Sequence, residues 1–192
     1  ASPGAWPSIR LGGAIFISVF NVRVSLHDYI GQIGKYFRAD VTIDFDKAYR
    51  LQEIEKAVMN VDGVTQVEGW QFASGELMDD EENVIENITL LGPPAESKLV
   101  QPILVEGRWL RVDDVRKMAV SEGLRKTFPD LHAGDFINMR INGRDEAWQV
   151  VGLFKFVDQE GILGYAPYEY ISVMNNQVNR SFSFRVVTEA HD

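Results

Sequence analysis

The 192-residue chain contains no cysteine. That excludes a disulfide framework, a thiolate zinc site and a cysteine nucleophile together. The absence suits a reducing cytosol and equally an extracytoplasmic domain that avoids thiol oxidation, so it leaves the compartment open. Histidine is scarce as well: His27, His132 and His191 are the three in the chain, and none stands at ligand spacing from another. They read as surface residues rather than a shared metal or catalytic site. Positive charge is also short, with 19 Lys and Arg against 28 Asp and Glu for a net charge of −9. Nucleic acid needs a concentrated basic surface, so it is not expected as a partner, and an anionic lipid face is an equally poor match. Phosphate loops and dinucleotide glycine patterns are missing, and Ser74, Ser121 and Ser181 stand in no Gly-x-Ser-x-Gly elbow. The expectation is a chain that performs no catalysis and needs no cofactor or metal.

Long hydrophobic runs are lacking too. "LGGAIFISVFNV", residues 11–22, carries no charge but is shorter than the roughly 20 apolar residues of a membrane span. It also lacks the basic start and cleavage site of a complete signal peptide. Two readings stay open for it: a buried element of the core, or the cut end of a membrane helix.

What the chain does have is an ordinary globular balance, with 45% apolar residues and eleven Phe, six Tyr and four Trp to fill a core. Val22, Leu26, Tyr29, Ile30, Ile33 and Phe37 recur at helical spacing, which predicts an amphipathic helix over 21–37. "ADVTIDFD" alternates as a strand, and Leu51, Ile54, Val58 and Val61 mark one helix face that ends at Asp62-Gly63. "VTQVEGWQFASGEL" and "NVIENITLLG" are further strands. Strand, helix and strand in this order form the first half of a split ferredoxin-like unit. "GPPAESK" breaks the pattern, and after it come mostly strands, with a short helix "SEGLRKTFP" and an Asn142-Gly143 hairpin signal. Pro167 opens a last helix and "SFSFRVV" is the closing strand.

The fold class expected is therefore α+β: a split ferredoxin-like lobe over 38–92 and 161–192, with a mostly-β lobe over 93–160 inserted in it. Residues 1–37 precede both.

Candidates for chemistry are few. The acidic run "MDDEENVIE" lacks the alternating ligands and turn glycine of an EF-hand loop, so it reads as a solvated hairpin tip. Asp113 and Asp114 among Arg108, Arg111, Arg116 and Lys117 predict local salt bridging. Trp70 and Phe72 share one strand face. Core packing is the default for such a pair, and an exposed pair would mark a partner or substrate contact.

Gly107-Arg108-Trp109, Asp113-Asp114, Ala119-Val120, Leu124, Gly134-Asp135, Asn142-Gly143 and Val150-Val151-Gly152 occur here in an order and spacing that resembles the extracytoplasmic (periplasmic core) domain of MacB/FtsX-type ABC-transporter permeases. "LGGAIFISVFNVRVSL" resembles the exit of that family's first transmembrane helix. The resemblance spans residues 11–189. It implies porter-like and sabre-like lobes for the two halves read above, with the end of the first transmembrane helix and a juxtamembrane helix over 1–37. It implies Gly107, Arg108 and Trp109 as a structural corner, and an ABC ATPase as a separate domain or chain reached through the membrane part. It implies a second permease copy as partner, an extracytoplasmic partner protein or a lipid or peptide substrate, and a place on the outer side of a bacterial inner membrane. Gly92-Pro93-Pro94 and Gly161 to Gly164 are read as hinges between lobes. A free-standing extracytoplasmic ligand-binding module is the alternative. The permease reading requires both ends of the domain to lie on one side, with Ile15, Phe16, Val19 and Phe20 as an apolar face on the leading helix.

Overall fold

The structure, a computed structural model, describes residues 38–155 and 163–189. The expected helix over 21–37, its apolar face, His27, His191 and Gly161 lie outside the described residues. Among the described residues, strands dominate and helices are few, a mixed α+β architecture.

β1 (Val41–Arg50) runs into α1 (Leu51–Met59) without a loop. Ile43 and Phe45 of β1 turn inward, while Thr42 and Asp44 face water, the two-residue period the sequence shows. Leu51, Ile54 and Val58 of α1 are half-buried at helical spacing. Val61, assigned to the same face from sequence, falls beyond the helix and is exposed. The helix ends at Asn60, and Gly63 takes the positive φ (+82°) of the turn into the next strand.

β2 (Val64–Met78) organises the molecule because it changes partners midway. Its first half, from Val64 to Trp70, pairs antiparallel with β9 (Arg180–Thr188), whose other edge holds β1. β1 and β2 are thus parallel to one another with β9 between them, and α1 makes the crossover, a split β–α–β unit. The second half of β2, from Gln71 to Met78, pairs with β3 (Val84–Gly92) on one edge, and Gly75 to Met78 pair with β6 (Phe136–Ile141) on the other.

From β3 the ladder continues through β8 (Leu163–Tyr165), β5 (Lys117–Ser121) and β7 (Arg144–Lys155), and β7 pairs with β6, which returns to β2. Six strands therefore close a ring, which removes their free edges. Its filling shows the alternation of a small barrel: Leu77 on β2, Ile88 and Leu90 on β3, Met118 and Val120 on β5, Ile137, Met139 and Ile141 on β6, Trp148 and Val150 on β7. Leu124 of the 3-10 turn (Glu122–Lys126), Leu131 and Ile171 of α2 (Tyr168–Met174) join the same cluster. β4 (Ile103–Gly107) lies outside the ring, paired with β7 alone.

The Asn142-Gly143 turn joins β6 to β7 with both residues at positive φ (51° and 72°), the mirror-image turn that matches strand twist. The acidic run is the β2–β3 hairpin tip. There Asp79 Oδ1 accepts the backbone N–H groups of Glu81 and Asn83, spending its carboxylate on the turn itself. Gly164 is no free joint: it is a β8 residue whose added Cβ would sit 2.6 Å from Leu90 Cδ2. Nor is Gly92-Pro93-Pro94 loose, since Leu91 O and Pro93 O accept the N–H groups of Ala166 and Tyr168.

Candidate functional site

The Gly107-Arg108-Trp109 corner follows β4. Gly107 has φ +75°, and a Cβ there would lie 2.3 Å from Val151 O. Its register partner Gly152 is equally constrained, because a Cβ on it would lie 2.2 Å from Arg108 O. Two glycines facing each other let the β4 and β7 backbones press together, and Arg108 N–H donates to Val151 O at 2.9 Å.

The Arg108 guanidinium then folds back. It donates from Nη1 to Trp109 O (2.8 Å) and Asp114 Oδ2 (2.8 Å), and from Nη2 to Asp114 Oδ1 (2.7 Å). Asp114, 1% exposed, also accepts Arg111 N–H at 2.8 Å and has Lys117 Nζ at 3.3 Å. Burial alone would raise its pKa. The bidentate Arg108 contact, the Arg111 N–H and Lys117 outweigh that and hold it below the ordinary carboxylate value. The salt bridging read from the sequence is thus present, centred on Asp114 rather than Asp113. It is a clamp, with no proton to exchange near neutral pH.

Trp109 is half-buried on an aromatic cluster. Its ring centroid lies 5.2 Å from that of Tyr165 and 6.4 Å from that of Phe154. Trp70 joins from the other side, at 6.5 Å from Tyr165. Leu99, Val100 and Leu110 complete this second core. Trp70 is only 2% exposed, so its own ring is a packing element. Phe72 is half-buried, and the Arg185 guanidinium lies over both rings, 5.2 Å from Trp70 and 5.7 Å from Phe72. The two aromatics do share one face, as the strand period requires. Arg185 is half-buried, which lowers its pKa, while Asp44 acts in the opposite sense.

Three further positions escaped sequence reading. Glu106 gathers Arg125 (2.6 Å), His132 Nδ1 (3.1 Å) and Ala133 N–H (3.0 Å), pinning β4 to the loop after the 3-10 turn. The Ala133 N–H leads in holding its pKa low. Tyr165 and Arg185 are the others, and each meets its aromatic partners through pairings distant in sequence. Among the described residues no group of His, Asp and Glu is arranged to hold a metal ion, and no helix is long and apolar enough to cross a membrane.

The two ends of the described core meet. Asp40 N–H donates to Val186 O at 2.9 Å, and the Asp40 carboxylate accepts Thr188 N–H at 2.7 Å and Thr188 Oγ1–H at 3.1 Å.

Three solved structures carry the same architecture. The periplasmic region of MacB from Actinobacillus actinomycetemcomitans superposes with a TM-score of 0.57 at 17% identity, covering 77% of this chain and 72% of that one. The extracellular domain of the noncanonic ABC-type transporter YknZ from Gram-positive bacteria gives 0.57 at 20% identity, covering 77% and 82%. A domain assigned to a permease protein from Porphyromonas gingivalis gives 0.50 at 17% identity, covering 70% and 60%. This chain shares their fold. No family model matches the sequence, and no curated protein matches it. The fold agrees with the one that the Gly-Arg-Trp corner and the acidic turn imply by resemblance; two of these neighbours are a periplasmic region and the extracellular domain of an ABC-type transporter.

Proposed function

We propose that this chain is the extracytoplasmic domain of an ABC-transporter permease subunit, a non-catalytic body that passes motion of membrane helices to a substrate or partner outside the membrane. The observation that carries this reading is the meeting of the two ends of the described core at Asp40 and Thr188. A domain hung between two membrane helices needs both ends at one pole, since both helices enter one bilayer. The shared fold with the MacB and YknZ domains supports the same reading.

On this reading the domain faces outward from a bacterial inner membrane. The ATPase is a separate chain or domain reached through the membrane part, and a second copy of the permease is the symmetric partner. The cargo is a partner protein, a lipid or a peptide. The split β–α–β unit of β1, α1, early β2 and β9 corresponds to a porter-like lobe, and the closed ring to a sabre-like one. A boundary near residue 70, where β2 changes partners, keeps β3 with its ring neighbours better than one at 92 does.

The chain has no cysteine, so single cysteines placed in it report on this domain once any cysteines elsewhere in the full-length protein are replaced. Ser74→Cys and Asp130→Cys, both at exposed positions, are placed in the membrane-bound full-length protein. Labelling by a membrane-impermeant maleimide in cells with a permeable outer layer and an intact inner membrane is the expected result. Labelling only after lysis would overturn the placement.

A further inference from the structure

A cleft of about 540 Å³ opens between the end of α2, the tip of the β6–β7 hairpin and β9. Carboxamides dominate its wall: Gln71, Asn142, Asn175, Asn176 and Gln177 line it together with Tyr170 and Phe182. The floor is built. Asn142 Nδ2 donates to Asn175 Oδ1 (3.2 Å), Asn175 Nδ2 donates to Gln71 Oε1 (3.0 Å) and Phe72 O (2.9 Å), and Gln71 Nε2 donates to Arg180 O (2.7 Å). Gln71 is 1% exposed, so this relay is anchored in the body of the protein. Gln177 Oε1 is shut off from solvent and meets no donor among the described residues, an acceptor left over beside the cleft.

We propose that this cleft binds a neutral saccharide. The relay occupies Gln71 and Asn175 and leaves Asn142 Oδ1 and the Asn176 carboxamide at the wall. Such a carboxamide offers a donor and an acceptor side by side, which matches neighbouring sugar hydroxyls that each give and take a hydrogen bond. Phe182 stands at the rim, 37% exposed and backed by Phe72 at 5.6 Å, and offers a ring face to the C–H side of a sugar. Arg144 and Glu146, the two charged residues of the wall, offset one another, so nothing selects a charged ligand. An extended peptide would seek a free strand edge. β6 is paired on both sides over Asn138 to Ile141, by β2 and β7, and Arg180 O at the start of β9 already accepts from Gln71 Nε2 and from the Tyr168 hydroxyl. The volume lies within the range of small-ligand sites, about 300–1,000 Å³, enough for a short oligosaccharide.

The test is an amide NMR titration of the whole chain with maltotriose, cellotriose and chitotriose, and with trialanine as the peptide arm. The expected result is saturable shifts from at least one glycan at Gln71, Asn142, Asn175 to Gln177 and Phe182. Asn142→Gly removes the carboxamide but keeps a turn that favours positive φ, and Phe182→Leu keeps an apolar side chain at the rim. Each is expected to weaken that binding about tenfold while the rest of the spectrum is preserved. No saturable shift with any glycan up to about 10 mM would overturn the proposal. So would unchanged affinity in both variants, or trialanine occupying the cleft in place of the glycans. The cleft test uses the isolated chain and the labelling test uses the membrane-bound protein, so either can fail without the other.

Discussion

Asp114 shows how one carboxylate can hold a corner without serving chemistry. It is buried, it carries three donors besides Lys117, and its pKa is held low. A depressed carboxylate pKa means stability that is present above the unfolded value, about 3.9, and is lost as pH falls from there through the folded value. The protein is expected to lose stability below about pH 4, and Asp114→Asn to show a shallower loss across the same window. Glu106, also held low, keeps part of that slope in the variant. At neutral pH, Asp114→Ala removes the buried half of this pair and leaves Arg108 partly exposed to water, and it is expected to cost about 2–3 kcal/mol, read by urea unfolding. Gly152→Ala acts at the same corner through the backbone. With Arg108 O only 2.2 Å from the added carbon, a cost of about 2–3 kcal/mol is expected, and a neutral result would mean that β4 is free to move off β7. Trp109 is half-buried rather than enclosed, so Trp109→Ala is expected to cost about 2 kcal/mol, less than a fully buried tryptophan.

At the scale of elements, β2 and α1 stand at opposite extremes. Gly75 to Met78 of β2 pair on both edges, and their inward side chains belong to the ring core. No residue of α1 is fully buried. Amide exchange is expected to be slowest in the Gly75 to Met78 stretch, while α1 reaches full exchange well before it, since local opening follows buried contact. Equal protection in the two elements would contradict this. The same contrast explains what the sequence discloses. α1 and β1 are legible because their signals are local: helical spacing of Leu51, Ile54 and Val58, alternation of Ile43 and Phe45, and a stop at Gly63. Asn142-Gly143 and Pro167 are legible for the same reason. β8 is not, because "LGY" holds three residues and becomes a strand only by filling the gap between β3 and β5. The length of β2 is visible in sequence, but its change of partners is set by β9 and β3, far along the chain. The salt bridge from Arg108 to Asp114 could be read because its partners are close in sequence, whereas the facing of Gly107 by Gly152 could not. The carboxamide cleft could not, since Gln71, Asn142 and Asn175 meet only in the fold.

For the whole molecule, the position of the ends decides how force would enter. Asp40 and Thr188 leave from the same edge of neighbouring antiparallel strands. On the proposed permease reading, if the flanking membrane segments move together, the domain turns as one body and no ladder bond is loaded. If they separate, the β1–β9 bonds are loaded one at a time from Val41 inward, and β1 peels away before the closed ring feels any strain. A disulfide distinguishes the two modes. Val41 and Val186 are register partners, and directly opposed residues lie about 4.5–5.5 Å apart at Cα, inside the disulfide range. Val41→Cys/Val186→Cys closes a long loop and is expected to raise the stability of the oxidised chain by about 3–5 kcal/mol. On the proposed permease reading, the oxidised pair in the full-length protein with its ATPase is expected to keep the coupled ATPase rate of the reduced form, because rigid-body motion does not open β1 from β9. A loss of coupled ATPase on oxidation, recovered with a reductant, would show instead that the working stroke passes through peeling of β1, with the ring held still.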